Sequence, residues 1–265
     1  MKITIIGGGN MGGAIARGLV SRGVIAAGDV TVSDPSQAVR DSFALFDPAV
    51  NLAADNREAI DGADIIIIAV KPWLMEQVCA SLAGAVDPAR QMVASIAAGI
   101  TFAQLSEWLG FAADAPVRPA LLRIIPNTAI ALGESVTFIA SSEVTEERRQ
   151  AVGALFEPLG KVFMIDESEM TAATALASCG IAYALRYIDA AARGGDQLGI
   201  PFAEAQKIVM QTVKGALALL ETNGAAPQTE IDKVTTPGGI TLKGLDAMEQ
   251  NGFSDAVING LKASR

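Results

Sequence analysis

The sequence predicts an α/β fold, a doubly wound parallel sheet in residues 1–165, followed by an all-α carboxy-terminal domain in residues 166–265. Three observations carry this reading. Short β-branched runs alternate with helical stretches up to about residue 165, the pattern of parallel βαβ units. A glycine-rich turn joins the first run to the first helix. Beyond Asp166-Glu167 the texture changes to Ala, Leu and Met at helical spacing.

The first strand is Ile3-Thr4-Ile5-Ile6, and the helix after the glycines runs from Asn10 to about Ser21. Further strands are expected at 30–33, 65–70, 92–96, 121–125, 136–139 and 162–165. Breaks separate them at Asp34-Pro35, Lys71-Pro72, Asp87-Pro88 and Ala115-Pro116, because proline disfavours helix in the residue before it. The 65–70 run, bounded by Asp64 and Lys71, is far short of the roughly 20 residues that cross a bilayer. It reads as a buried strand, and no membrane association is expected. Residues 110–119 read as a surface connection inside the first domain.

In the second domain, long helices are expected from 169 to about 194 and from 202 to about 222. The alanines Ala172, Ala173, Ala175, Ala177, Ala182 and Ala184 let another helix approach closely. They fit a dimer interface and ordinary buried packing equally.

With 265 residues, 51% of them hydrophobic, the chain suits two modest domains. Its net charge of -9, without a long run of like charge, argues against a nucleic-acid surface, which needs clustered Lys and Arg. Met1-Lys2 leads straight into a strand and not into a secretory pattern, so a cytosolic protein is expected. Cys79 and Cys179 are too few for a disulfide framework and lack neighbouring metal ligands, so both read as buried small residues and no metal is expected. The chain has no histidine, which removes the usual general acid and base. Ser-His-Asp hydrolysis and histidine-assisted carbonyl reduction are excluded.

Gly7, Gly9 and Gly12 give the spacing GxGxxG between a strand and a helix, the context that a dinucleotide fingerprint requires. The chemistry needs a tight turn at Gly7, close backbone approach to a pyrophosphate at Gly9, and close helix packing at Gly12. Asp34 ends the second strand about 20 residues on, where an acid accepts from a ribose hydroxyl. The first domain is therefore Rossmann-like, with NADH or NADPH as cofactor. Asp34 repels a ribose phosphate and the next cation is Arg40, which favours NADH, although Ser33 and Ser36 could still receive a phosphate. Asn10 and Met11 fit helix initiation and core packing as well as cofactor contact.

Several segments together resemble the pyrroline-5-carboxylate reductase family over essentially the whole chain. They are Ile6-Gly7-Gly8-Gly9-Asn10-Met11, Ala69-Val70-Lys71-Pro72, Ser95-Ile96-Ala97-Ala98-Gly99, Arg123-Ile124-Ile125-Pro126-Asn127-Thr128 and Thr236-Pro237-Gly238-Gly239-Ile240-Thr241. The resemblance implies reduction of L-1-pyrroline-5-carboxylate to L-proline, the last step of proline biosynthesis. It implies that Ile6 to Met11 and Ala69, Val70, Lys71, Pro72 and Ala97 line the cofactor, with Asn56 near the adenosine ribose. It places substrate on Asn127, Gly238, Gly239 and Thr241, with Thr241 as the residue at the ring nitrogen. It also implies a homodimer built from the helical domains, or a larger homo-oligomer. On the residues alone, Lys71 is a solvated charge ending a strand, Pro72 a helix-starting residue, and Pro237-Gly238-Gly239 a turn joining two helices. The missing histidine fits an imine substrate, because a cyclic imine can enter already protonated and needs no proton donor for a developing alkoxide.

The sequence departs from the family in places. The family's Ser-Gly-Ser-Gly-Pro-Ala-Tyr reads Ala177-Ser178-Cys179-Gly180-Ile181-Ala182-Tyr183 here. Thr236 and Ile240 stand at a serine and a threonine position of the substrate loop, Ala129 replaces a proline, and Gly224 stands where an acid is common. Two alternatives therefore stand beside the reductase: an enzyme for another cyclic imine or a β-hydroxy acid, and a nicotinamide-sensing or partner-binding protein without catalysis.

Overall fold

The computed structural model describes residues 1–112, 115 and 117–264; Pro116 and part of the 110–119 connection lie outside these. In chain order the first elements are β1 (Ile3–Ile6), α1 (Asn10–Ser21), β2 (Val30–Ser33), α2 (Gln37–Phe46), β3 (Asn51–Ala53), α3 (Asn56–Ala59) and β4 (Ile65–Ile68). They continue with α4 (Met75–Leu82), β5 (Met92–Ser95), α5 (Phe102–Trp108), β6 (Ala120–Ile125), β7 (Ser135–Ser142), α6 (Glu146–Phe156) and β8 (Gly160–Met164). The eight strands form one sheet in the order β3-β2-β1-β4-β5-β6-β7-β8. Its first six positions are the doubly wound order, which reverses direction between β1 and β4 and opens a crevice at their carboxyl ends.

β4 is wholly apolar on both faces, and β1 is so except for buried Thr4, whose hydroxyl donates to the Ala59 carbonyl at 2.6 Å. Ile3, Ile5, Ile65 and Ile67 pack with Ile15 and Leu19 of α1 and Phe156 of α6 on one face. Ile6, Ile66 and Ile68 pack with Met75, Cys79 and Leu82 of α4 and Leu105 of α5 on the other. A parallel sheet covered on both faces requires such continuous apolar strands. Cys79 is buried, as expected from sequence, and its burial pushes the thiol up to about 12, leaving it protonated and unreactive.

Two sequence expectations are corrected here. Not every strand is parallel: β7 runs antiparallel to β6, with Arg123 opposite Ala140. The connection from Ile125 to Ser135 holds only the 3₁₀ turn Thr128–Leu132, and a parallel return needs a crossover of a dozen or more residues. The helix expected from 169 to 194 is present from Met170 to Gln197 but is not α-helical throughout: α7 (Met170–Ala173) passes into a π-helical turn, Thr174–Cys179, before α8 (Gly180–Gln197). Thr174 Oγ1 donates to the Met170 carbonyl at 2.7 Å and Ser178 Oγ to the Pro126 carbonyl at 3.1 Å, so side-chain hydroxyls hold the widened turn.

The backbone divides into two compact units, Met1–Ser178 and the helices from Cys179 onward. In the first, the guanidinium of Arg123, 6% exposed, donates to Glu167 Oε1 at 3.0 Å, and the same oxygen accepts the Phe102 N–H at 2.8 Å. One carboxylate therefore ties β6, the start of α5 and the segment leading to α7. The second unit contains α8, α9 (Phe202–Asn223), α10 (Pro227–Val234), α11 (Ile240–Gln250) and α12 (Phe253–Ala263). Gly195 of α8 faces Ala205 of α9 so closely that a Cβ on the glycine would stand 2.8 Å from the alanine methyl. The Tyr183 hydroxyl of α8 donates to the Gly260 carbonyl of α12 at 3.3 Å and is shared with the Ser264 hydroxyl.

This second unit buries little. Among its described residues only Ala192 and Ala205 are buried, whereas Leu185, Leu198, Met210 and Leu217 are each more than half exposed. No described helix is long and apolar enough to cross a membrane.

Candidate functional site

The β1–α1 turn is built from glycines that do different work. Gly7 has φ +98°, and a Cβ there would lie 2.8 Å from the Ala69 carbonyl oxygen. Gly8 packs against Val32, Val39 and Phe43, and a Cβ on Gly12 would lie 2.0 Å from the Gly7 carbonyl oxygen. These three positions let α1 descend onto the ends of β1 and β4. Gly9 is different: nothing stands within 4 Å of where its Cβ would be, and its φ of -67° is open to any residue. Among the described residues no packing contact demands a glycine there, whereas close approach of a pyrophosphate does. The turn therefore fits a dinucleotide, with the first-turn amides of α1 available to an anion.

Asp34, just past β2, is held from two sides. Its Oδ2 accepts the Gly8 N–H and its Oδ1 the Ser36 N–H, both at 2.9 Å. The carboxylate thus braces the glycine turn besides standing where a ribose would lie. Ser33 is fully buried and gives its hydroxyl to Asn56 Oδ1 at 2.7 Å, so it is not free for a phosphate. That bond leaves the Asn56 NH2 group as the end that can face a ligand. Arg40, which the sequence placed too far along the chain to matter, folds back by one turn of α2. Its Nη1 donates to the Asp34 carbonyl and its Nη2 to Gln37 Oε1, both at 2.5 Å.

After β4, Ala69 and Val70 are half-buried, while Lys71 and Pro72 are exposed. Pro72 opens the 3₁₀ turn Pro72–Leu74 and Lys71 precedes it as the cap residue. Ile6 and Ala97 keep their side chains in the core, so only their backbones can face a ligand. Ser95 Oγ accepts the Ala97 N–H at 3.2 Å and bends the chain as β5 ends. Asn10 and Met11 begin α1, the first exposed and the second packed against the core. Asn127 is buried; its Oδ1 caps the 3₁₀ turn through the Ala129 N–H at 3.0 Å, and its own N–H donates to Ser135 Oγ at 3.2 Å.

In the helical unit the Thr236-Pro237-Gly238-Gly239 segment forms a tight turn, with Gly239 N–H donating to the Thr236 carbonyl at 2.8 Å and Gly238 at φ +76°. Gly239 caps α11, and Thr241 is exposed at its second position. Gly224 ends α9 at φ +58°, a left-handed conformation that explains why this chain carries glycine there.

The strand order, the glycine turn at its switch point and the acid after β2 define a dinucleotide-binding protein of the Rossmann class. The family model described as NADP oxidoreductase, coenzyme F420-dependent, matches residues 2–99, and that described as pyrroline-5-carboxylate reductase dimerisation matches residues 167–265. The pyrroline-5-carboxylate reductase of Synechocystis sp. is 35% identical over 100% of this chain and 96% of its own length. That of Arabidopsis thaliana is 32% identical over 99% of this chain and 92% of its own. Among solved structures, the Streptococcus pyogenes 1-pyrroline-5-carboxylate reductase superposes with a TM-score of 0.86 at 32% identity, covering 100% of this chain and 96% of that one. The Plasmodium falciparum pyrroline carboxylate reductase, solved with NADP bound, gives 0.88 at 27% identity, covering 100% and 95%. The chain belongs to the pyrroline-5-carboxylate reductase family.

Proposed function

We propose that this protein reduces L-1-pyrroline-5-carboxylate to L-proline with NADH or NADPH, the final step of proline biosynthesis, in the cytosol. The observation that carries the reading is the Gly7 to Gly12 turn at the switch point between β1 and β4, where Gly7 and Gly12 bring α1 onto the strand ends and Gly9 leaves room for a pyrophosphate. Residues 1–165 bind the dinucleotide, through the 6–11 turn, Asp34, Asn56, Ala69 to Pro72 and Ala97. Residues 166–265 carry the substrate loop and the dimer interface. When bound, the nicotinamide supplies the hydride. The protein's share is positioning: the amides of Gly238 and Gly239 hold the substrate carboxylate, and the Thr241 hydroxyl holds the ring nitrogen. Asn127, as a buried cap, acts by fixing the Pro126-Asn127-Thr128 segment. Asp34 adds a charge that favours NADH over its phosphorylated counterpart.

The test is oxidation of NADH or NADPH by the purified protein in the presence of the pyrroline; no turnover with either cofactor overturns the assignment. One observation favours a second reading. The altered 177–183 segment starts in a π-helical turn, a feature concentrated at functional sites, and would suit a different cyclic imine. A panel of cyclic imines and β-hydroxy acids separates the two, since higher kcat/KM for the pyrroline than for any other compound rejects it. Thr241→Ala is expected to lower turnover at least about tenfold while cofactor affinity stays within about twofold, as loss of a polar contact to substrate alone predicts. Equal activity in variant and parent removes Thr241 from the site.

A further inference from the structure

We propose that Ser178 is a positioning residue for the reduction, which fixes the Pro126-Asn127 peptide at the end of β6 through its hydrogen bond to the Pro126 carbonyl. The proposal rests on the reductase reading above and adds a residue to it. Strands β1, β4, β5 and β6 are parallel neighbours, so the glycine turn, Ala69-Val70, Ala97 and Pro126 leave the sheet along one carboxyl edge. Asp34 marks the adenosine side, so a dinucleotide laid along that edge has its nicotinamide toward β5 and β6. Neighbouring strands lie about 4.8 Å apart, which puts the end of β6 roughly 14 Å from the glycine turn.

The chain from Glu167 to Ser178 follows β6 toward this edge by three anchors. Glu167 takes the Arg123 guanidinium at 3.0 Å, Met170 packs with Ile125 and Phe138, and the Ser178 hydroxyl donates to the Pro126 carbonyl at 3.1 Å. Pro126 lies past both ladders of β6, whose final pairs are Ser95 with Arg123 and Phe138 with Ile125. Among the described residues, the Ser178 hydroxyl is the donor that its carbonyl meets. That carbonyl and the Asn127 N–H belong to one planar peptide group. The N–H donates to Ser135 Oγ at 3.2 Å, so two serine hydroxyls pin the plane at opposite ends. Without Ser178 it is pinned at one end and can rock, carrying Asn127 and the 3₁₀ turn that its side chain caps. Ser178 is half-buried in the π-helical turn, and the family's segment has glycine at that place, so the hydroxyl is a feature of this chain.

The experiment is amide hydrogen exchange of ligand-free parent, Ser178→Ala and Ser178→Thr, with steady-state kinetics of the same proteins on the pyrroline. Alanine is the better helix former, so Ser178→Ala removes the hydroxyl without weakening the helix. In it the Asn127 and Ala129 amides are expected to exchange at least about threefold faster, while amides of β1 keep the parent rate. Its kcat and kcat/KM are expected to fall together by about three- to tenfold, with KM and cofactor affinity within about twofold, because the bond serves orientation and not binding. Ser178→Thr keeps the donor and is expected to restore both exchange and turnover. Unchanged exchange in Ser178→Ala overturns the proposal, as does faster exchange with an unaltered kcat. A Ser178→Thr protein no better than Ser178→Ala also overturns it. Failure of the reductase reading shows instead as absence of turnover in the parent, which takes this proposal with it.

Discussion

Gly12→Ala is expected to cost this protein both stability and cofactor, whereas Gly9→Ala is expected to cost cofactor alone. At Gly12 the new methyl would lie 2.0 Å from the Gly7 carbonyl oxygen and 2.8 Å from the Ala69 Cβ, and the first of these is backbone. Relief requires α1 to back away from the ends of β1 and β4. Overpacking of this kind costs about 1–3 kcal/mol. The same movement takes the α1 amides off the position of a pyrophosphate, so affinity should fall at least about tenfold for each 1.4 kcal/mol lost there. At Gly9 the methyl meets no protein atom within 4 Å and the backbone accepts alanine. Thermal unfolding of Gly9→Ala without ligand should therefore match the parent, while calorimetry with NADH or NADPH should register a loss as large as that of Gly12→Ala. A Gly9→Ala protein that binds dinucleotide as tightly as the parent would mean that no ligand approaches this turn.

That contrast also marks how far the sequence could be read. β1 and α1 have the bounds expected, because glycines punctuate the chain between them and the helix starts where the fingerprint places it. β3 escaped notice: it is a short edge strand whose Asn51 and Leu52 are exposed, so it carries no apolar run. The sense of β7 was misread because its residues have the composition of any buried strand, and only the length of the preceding connection decides direction. The π-helical turn depends on which carbonyl each amide selects, a matter of hydrogen-bond register that composition does not encode. At the site itself, Gly7 and Gly12 were legible because backbone geometry demands glycine there, and Asp34 because the fold places an acid at the end of the second strand. Arg40 and the Ser33–Asn56 bond were not, since the first depends on the side chain turning back along α2 to a carbonyl six residues before it and the second joins residues 23 apart.

The helical unit poses the other large expectation, that this protein unfolds at a temperature that depends on its own concentration. A domain needs a buried core to offset the conformational entropy of ordering its chain. In the unit that starts at Cys179, only two alanines are buried among the described residues, and side chains such as Leu185, Met210 and Leu217 stand more than half in solvent. Apolar exposure on this scale is the mark of a surface that another chain covers, and the match of residues 167–265 to a dimerisation family identifies a second copy as the natural partner. If association supplies the missing burial, folding and dimerisation are one equilibrium, and each tenfold increase in protein concentration adds about 1.4 kcal/mol to the stability of the dimer. Because two chains of 265 residues unfold together, that corresponds to a rise of roughly 1 °C in unfolding midpoint per 1 kcal/mol. Scanning calorimetry over a roughly hundredfold concentration range, with light scattering to fix the mass, decides the matter. A midpoint that stays constant while the mass remains that of one chain would require the exposed leucines to be tolerated in water, and the dimer would have to be abandoned.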